Sequence, residues 1–235
     1  MDFYGMVLRS MFELISKLNM TYWINWINED ITCWERDKSV DHHLNAFHKE
    51  GLSDVWVCVQ NGFDITVGQE PWAQALHEKL CVVSINLARQ IKSKHEVDIE
   101  EALSNAVFSR NIQGSRCLKC GFMQLSQSNI DFYLAPNIIL QEFCERLRIG
   151  QLNSFVSDVL SLNINTIEKE RSRIRSMMEK SNISFADTGR FMRPCKKCES
   201  ADTAVYRWEE KIEKRLFQSD RVIFVPSKDN LPLRP

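Results

Sequence analysis

Phe3, Met6, Val7, Met11, Phe12, Ile15 and Leu18 recur at three- and four-residue intervals, so a helix over residues 3–18 would carry one continuous apolar stripe. Thr21 can cap a second helix that reaches Glu35, with Trp23, Trp26, Ile27 and Trp34 on its apolar side and Glu29 and Asp30 opposite. A third, short helix follows Ser39, carries His42, His43, Leu44 and Phe47, and stops near Gly51. The run from Asp54 to Val59 fits a strand or a buried helix equally, because periodicity does not separate the two at that length. Pro71 suits the first residue of a long helix, where its missing N–H costs nothing. Trp72, Ala75, Leu76, Leu80, Val83, Leu87 and Ile91 carry the stripe on towards Ser93. One further helix is expected over Asp98 to Phe108. The stretch Asn111 to Ser115, with Gly114 inside it, reads as the boundary between two halves.

Beyond that boundary the pattern changes. Cys117 and Cys120, then Gly121 for a left-handed turn, then a short strand through Phe122, Met123 and Leu125 make a knuckle over Ser115 to Ser126. Helical spacing returns at Asn137 to Arg148 and at Leu152 to Lys180. A second knuckle, Pro194 to Ser200, lies between strand-like segments at Phe185 to Met192 and Thr203 to Trp208. A charged helix over Glu209 to Phe217, a last strand over Val222 to Val225 and a loose tail from Pro226 complete the reading. The fold class expected is mainly α with a small β component: a helical domain over 1–110, and a knuckle domain over 111–235 with a helical insertion at 137–181.

Cys117-Leu-Lys-Cys120 and Cys195-Lys-Lys-Cys198 are the one constellation that dictates a chemistry. Each C-x-x-C turn points two thiolates at one ion about 2.3 Å away, and two turns complete a tetrahedron with no position left for substrate. The expectation is a structural zinc ion held by Cys117, Cys120, Cys195 and Cys198. Closing the long intervening loop adds only a logarithmic entropy term, small beside the roughly 10–16 kcal/mol of apparent zinc binding in such sites. A redox C-x-x-C is disfavoured, since such motifs open a helix after a strand and do not come doubled. Cys33, Cys58, Cys81 and Cys144 read as separate thiols rather than a disulfide framework.

Charge and length narrow the function classes. A formal charge of -1 over 235 residues argues against general adhesion to nucleic acid or membrane surfaces. The halves differ, with ten basic and sixteen acidic residues in 1–110 against twenty and fifteen in 111–235. Apolar runs are broken well before the ~18 residues that a membrane span needs, and Met1-Asp2-Phe3-Tyr4 lacks a secretory signal. A soluble, cytoplasmic protein with no membrane partner is expected.

Other clusters have plainer roles beside functional ones. Lys119, Lys196 and Lys197, with Arg116, Arg190 and Arg193 nearby, could bind a phosphate backbone, so nucleic acid is an alternative partner for residues 111–235. The plainer role, offsetting thiolate charge at the knuckle tips, is favoured. Asp41, His42, His43 and His48 are the candidates for hydrolytic chemistry, but their spacing matches no ligand pair on a helix and no H-E-x-x-H occurs. Trp23, Trp26, Trp34, Trp56 and Trp72 belong mostly to a core. A minority role for Trp23, Trp26 and Trp56, together with Lys196 and Lys197, is partner binding.

The stretch from Trp23-Ile24-Asn25-Trp26 through Trp34, His42 to Phe47, Gly51-Leu52-Ser53-Asp54-Val55 and Gln69-Glu70-Pro71-Trp72 to Leu80 resembles a small family of uncharacterised bacterial domains. The second half resembles a split four-cysteine zinc ribbon. The first resemblance implies bacterial origin and a small helical module of the accessory and immunity type, with no catalytic residues to transfer. The functional expectation is therefore a non-catalytic protein that binds another protein, such as an immunity protein neutralising a cognate toxin. A nucleic-acid-binding accessory protein comes second, and a hydrolase using Asp41, His42 and His43 third.

Overall fold

The computed structural model describes residues 1–18, 21–49, 69–94, 96–103, 111–186, 194–213 and 221–228. The expected run at Asp54 to Val59, with Trp56 and Cys58, lies outside the described residues, as do Arg190 and Arg193. The architecture is mainly α with a small β component, as expected. Two compact units divide the chain: Met1–Val107 with Ile138–Ile164, and Phe108–Asn137 with Asn165–Pro235. Part of the helical insertion read into the second half thus groups with the first unit.

The first unit is a helical assembly. Helices α1 (Phe3–Lys17), α2 (Thr21–Asp37), α3 (Asp41–Lys49), α4 (Glu70–Lys92) and α5 (Ile99–Leu103) lie close to their expected positions, although α5 is described only to Leu103. Asp2 caps α1 by accepting the Gly5 N–H at 2.9 Å. The stripe of α1 puts Val7, Leu8, Met11, Leu14 and Ile15 at zero exposure, and α1 packs on α2, on α4 and on α7 (Leu152–Leu160). From the other elements Ile27, Trp72, Leu76, Leu80, Phe155 and Val156 complete this core. At ~25 cal/mol per Å² of apolar surface removed from water, each such side chain contributes about 1.5–3 kcal/mol, which holds these helices together.

The second unit is built on a sheet. Strands β1 (Asn111–Cys117), β2 (Met123–Leu125), β3 (Ser184–Phe185), β4 (Thr203–Glu213) and β5 (Arg221–Pro226) run in the order β3-β2-β1-β4-β5. All neighbours are antiparallel except β2 and β3. Helix α8 (Ile167–Lys180) and the first half of α6 (Gln127–Arg148) belong to this unit. Asp131 on α6 is 1% exposed and is gripped by Arg171 on α8 through bonds of 2.8 and 2.9 Å, which ties the two helices.

Four expectations need correction. Helix α6 starts ten residues before Asn137 and runs through Pro136, because Ser126 and Asn129 cap it reciprocally. The Ser126 hydroxyl accepts the Asn129 N–H at 3.2 Å, and Asn129 Oδ1 accepts the Ser126 N–H at 2.9 Å. The stretch Leu152 to Lys180 is two helices, parted around Leu162, whose φ of 55° ends α7. Glu209 to Glu213 form strand, not helix, since β4 is paired along its whole length and Glu210 accepts a hydrogen bond from the Tyr133 hydroxyl.

The fourth correction concerns Asn111 to Ser115, which are strand rather than linker. A Cβ on Gly114 would lie 2.5 Å from Leu125 Cδ2 and 2.6 Å from the Gln124 carbonyl oxygen. That glycine therefore marks close packing within a sheet, not a turn. Gly114→Ala is expected to lower stability by about 1–3 kcal/mol in urea unfolding, the cost of overpacking against backbone that cannot move aside.

Candidate metal centre

Sheet register brings the two knuckles together. Cys117 ends β1 and pairs with Thr203, which begins β4 just after the second knuckle. Any chain that forms this pairing must place both cysteine turns at the same end of the sheet. Leu118 N–H donates to the Asp202 carbonyl at 2.9 Å, and the Gln124 side chain accepts the Lys196 N–H at 3.2 Å, so each knuckle is tied to the other strand's neighbourhood.

Within each turn the backbone closes on itself. Gly121 N–H donates to the Cys117 carbonyl at 2.9 Å, and Gly121 has the expected left-handed φ of 72°. In the second turn Glu199 N–H donates to the Cys195 carbonyl at 2.8 Å, and Glu199 takes the same left-handed role at φ 58°. That explains why no glycine announced the second knuckle's exit.

The geometry suits an ion. Cys117 Sγ lies 3.6 Å from Cys198 Sγ, Cys120 Sγ lies 3.7 Å from Cys195 Sγ, and all four sulfurs fall within 4.8 Å of one another. A tetrahedron with metal–sulfur bonds of about 2.3 Å has sulfur–sulfur edges of roughly 3.8 Å, so the four residues fit a metal with little rearrangement. Four protein ligands fill that tetrahedron, and such a site has no open coordination position. Packed this closely, the thiols do not ionise independently. The backbone N–H groups of Cys120 and Lys119 hold Cys117 down to about 7. Cys198 accepts the Ser200 N–H but is pushed up to about 12 by burial and the neighbouring sulfurs.

The remaining candidates separate into surface and core. Lys119, Lys196 and Lys197 are exposed at the turn tips, and the Arg116 guanidinium lies over the Tyr206 ring at 5.7 Å. Trp23 and Trp26 are 8% and 7% exposed, and Trp72 is fully buried. These tryptophans are core, which removes Trp23 and Trp26 from the partner-binding set.

The proposed hydrolytic cluster does not assemble as read. Asp41 is exposed and paired with Lys92. His42 and His43 instead converge on Asp30, with Nδ1 of His42 at 2.5 Å and Nδ1 of His43 at 2.7 Å from its two oxygens, while His43 Nε2 meets Ser84 Oγ at 3.1 Å. Asp30 belongs to the buried face after all, and its spacing from Trp23, Trp26 and Ile27 at positions 23, 26, 27 and 30 was the available signal. The order Asp30–His43–Ser84 has the connectivity of a nucleophilic relay. Ser84, however, is fully buried within α4, and its hydroxyl donates to the Cys81 carbonyl at 3.0 Å, so it offers no oxygen to a substrate.

Nearby on α4, burial alone pushes His77 down to about 4 and, with a smaller contribution from Glu78, pushes Cys81 up to about 12. Below pH 6.5 an unfolded chain takes up a proton at His77 that the native state refuses until about pH 4. Stability is therefore lost as the pH falls through that window, by about 3 kcal/mol in all. Urea unfolding between pH 7 and 4.5 should show this loss in the native protein and a shallower fall in His77→Gln.

A cleft of about 350 Å³ in the first unit is lined by Phe3, Tyr4, Trp34, Ile91 and Val97, with Lys38 lying over the Trp34 ring. Its one carboxylate, Asp2, is already held by the Gly5 N–H and Trp34 Nε1. Among the described residues, no helix is long and apolar enough to cross a membrane. No protein-family model, curated protein or solved structure matches the chain.

Proposed function

We propose that this chain is a non-catalytic binding protein, that its four-cysteine centre holds zinc as a structural clamp, and that its partner is another protein. The convergence of Cys117, Cys120, Cys195 and Cys198 carries this reading, because four protein thiolates saturate the ion and leave none of its coordination for substrate. All-sulfur tetrahedral coordination favours zinc among common divalent ions. The Asp30–His43–Ser84 chain supports the same view, since Ser84 is fully buried and spends its proton on the Cys81 carbonyl.

Charge favours a partner other than a polyanion. The positive tips at Lys119, Lys196, Lys197 and Arg116 are offset by Glu199, Asp202 and the two net negative charges of a four-thiolate divalent site, leaving little surplus to hold phosphates. The acidic excess of residues 1–110 instead favours a basic protein, and a toxin of that charge is the partner proposed. Binding of the zinc-loaded chain to a basic toxin, sought among the products of neighbouring genes, should be stoichiometric, and nucleic-acid binding at moderate salt should be negligible. Nucleic-acid binding with a steep salt slope, abolished by Lys196→Glu with Lys197→Glu, would overturn this in favour of the nucleic-acid reading.

A further inference from the structure

The four sulfurs of the centre are not equivalent. Backbone N–H groups of Cys120 and Lys119 are aimed at Cys117, that of Ser200 at Cys198, and that of Lys197 at Cys195, the last at 3.4 Å. Donors of this kind take up part of the sulfur's negative charge and blunt it as a nucleophile. Cys117 and Cys195 are also buried, at 1% and 0% exposure, and Cys198 is half-buried. Of the four, Cys120 alone is exposed, and its sulfur lies 3.7 Å from that of Cys195.

We propose that Cys120 is a peroxide-modification site with Cys195 as its resolving partner, so that oxidation exchanges the metal clamp for a covalent one. This rests on the four-thiolate reading above. The Cys120 thiolate attacks one oxygen of hydrogen peroxide; the O–O bond breaks, and hydroxide leaves with the electron pair, giving a sulfenic acid. The Cys195 thiolate then attacks that sulfur; an S–S bond forms, the S–O bond breaks, and a second hydroxide leaves. Both hydroxides are protonated to water. Peroxide is reduced by two electrons and the sulfur pair oxidised by two. The sulfurs must approach from 3.7 Å to about 2.05 Å, a shift that two loop-borne residues can supply.

The choice of partner has a structural consequence. A bond within one knuckle would leave no sulfur link between the two turns, whereas Cys120–Cys195 joins them covalently across residues 75 apart. Two of four ligands are withdrawn, and Cys117 with Cys198 alone cannot complete a tetrahedron. The turns stay together while the ion is lost, and two equivalents of a monothiol return both thiols, which can then take up the ion again.

Zinc-loaded full-length protein, treated with one equivalent of hydrogen peroxide, is assayed with a chromogenic chelator and by non-reducing peptide mapping. Metal release is expected in parallel with a Cys120–Cys195 linkage as the first disulfide, and Cys120→Ser should lose that linkage without gaining Cys117–Cys198 at the same rate. A first disulfide at Cys117–Cys120 or Cys195–Cys198, or thiols still reduced under a large excess of peroxide, overturns the proposal. Should the protein take up no zinc or cobalt at all, the metal reading fails on its own, and mapping of the metal-free protein still decides which sulfurs join.

Discussion

Cys195→Ser is expected to abolish stoichiometric metal binding and to unfold the knuckle end of the second unit. Cys195 is fully buried, and a serine hydroxyl at that position neither ionises nor coordinates as the thiolate does. The magnitudes decide the outcome. Holding a loop of 75 residues closed costs about 4–5 kcal/mol in chain entropy, while structural zinc sites supply roughly 10–16 kcal/mol of apparent binding at neutral pH. The ion therefore contributes more than the closure demands, and its loss exceeds what the β1–β4 pairing alone could make good in a domain whose net stability is only about 5–15 kcal/mol. Hydrogen exchange should speed up most at the amides of Cys117, Leu118, Cys195 and Thr203, whose bonds join or close the turns. A strong chelator should reproduce this in the native protein. Cys33→Ser, away from the centre, should leave both metal content and exchange unchanged. A chelated protein with unaltered exchange at those amides would show that the sheet holds the turns unaided.

How much of this was legible beforehand depended on the physical origin of each signal. Helices α1 to α4 bury one face against their own unit, so a 3.6-residue apolar period appears directly in the order of residues. The metal centre was legible because thiolate spacing is a local property, and four matching cysteines needed no knowledge of the fold. The strand at Asn111 to Cys117 was not, because Gly114 is required by a neighbour, Gln124, that only tertiary structure brings to it. The helical look of Glu209 to Glu213 failed for a related reason: Glu210 is held by Tyr133, and propensity gives way to pairing. Asp30 was misplaced because a carboxylate in a buried stripe is rare unless something meets it, and its two histidines lie on the next helix.

Replacing Asp30 should be the most damaging single change in the first unit. Its carboxylate is 2% exposed and accepts from Nδ1 of both His42 and His43, against the ring of Trp26. Asp30→Ala strands two imidazole donors where water cannot reach at least one of them, since His43 is 1% exposed, and losing two bonds to a carboxylate while leaving a buried group unmet costs about 3–5 kcal/mol. Asp30→Asn keeps the volume but can offer its carbonyl oxygen to only one histidine while its amide group faces the other, so about 2–3 kcal/mol is expected. Ser84→Ala removes its neutral bonds to His43 and to the Cys81 carbonyl and should cost about 1–2 kcal/mol. The comparison that tests the assignment is Asp41→Ala. Asp41 sits eleven positions on, next to the same histidines in sequence, but its partner is the exposed Lys92, and an ion pair in water contributes about 0–1 kcal/mol. Urea unfolding of the four variants should rank Asp30→Ala, Asp30→Asn, Ser84→Ala, Asp41→Ala from most to least destabilised. If Asp30→Ala proves no worse than Asp41→Ala, the brace between α2, α3 and α4 is not what holds this region together. An Asp30 variant that folded normally but lost a measurable hydrolytic activity would return the histidines to catalysis.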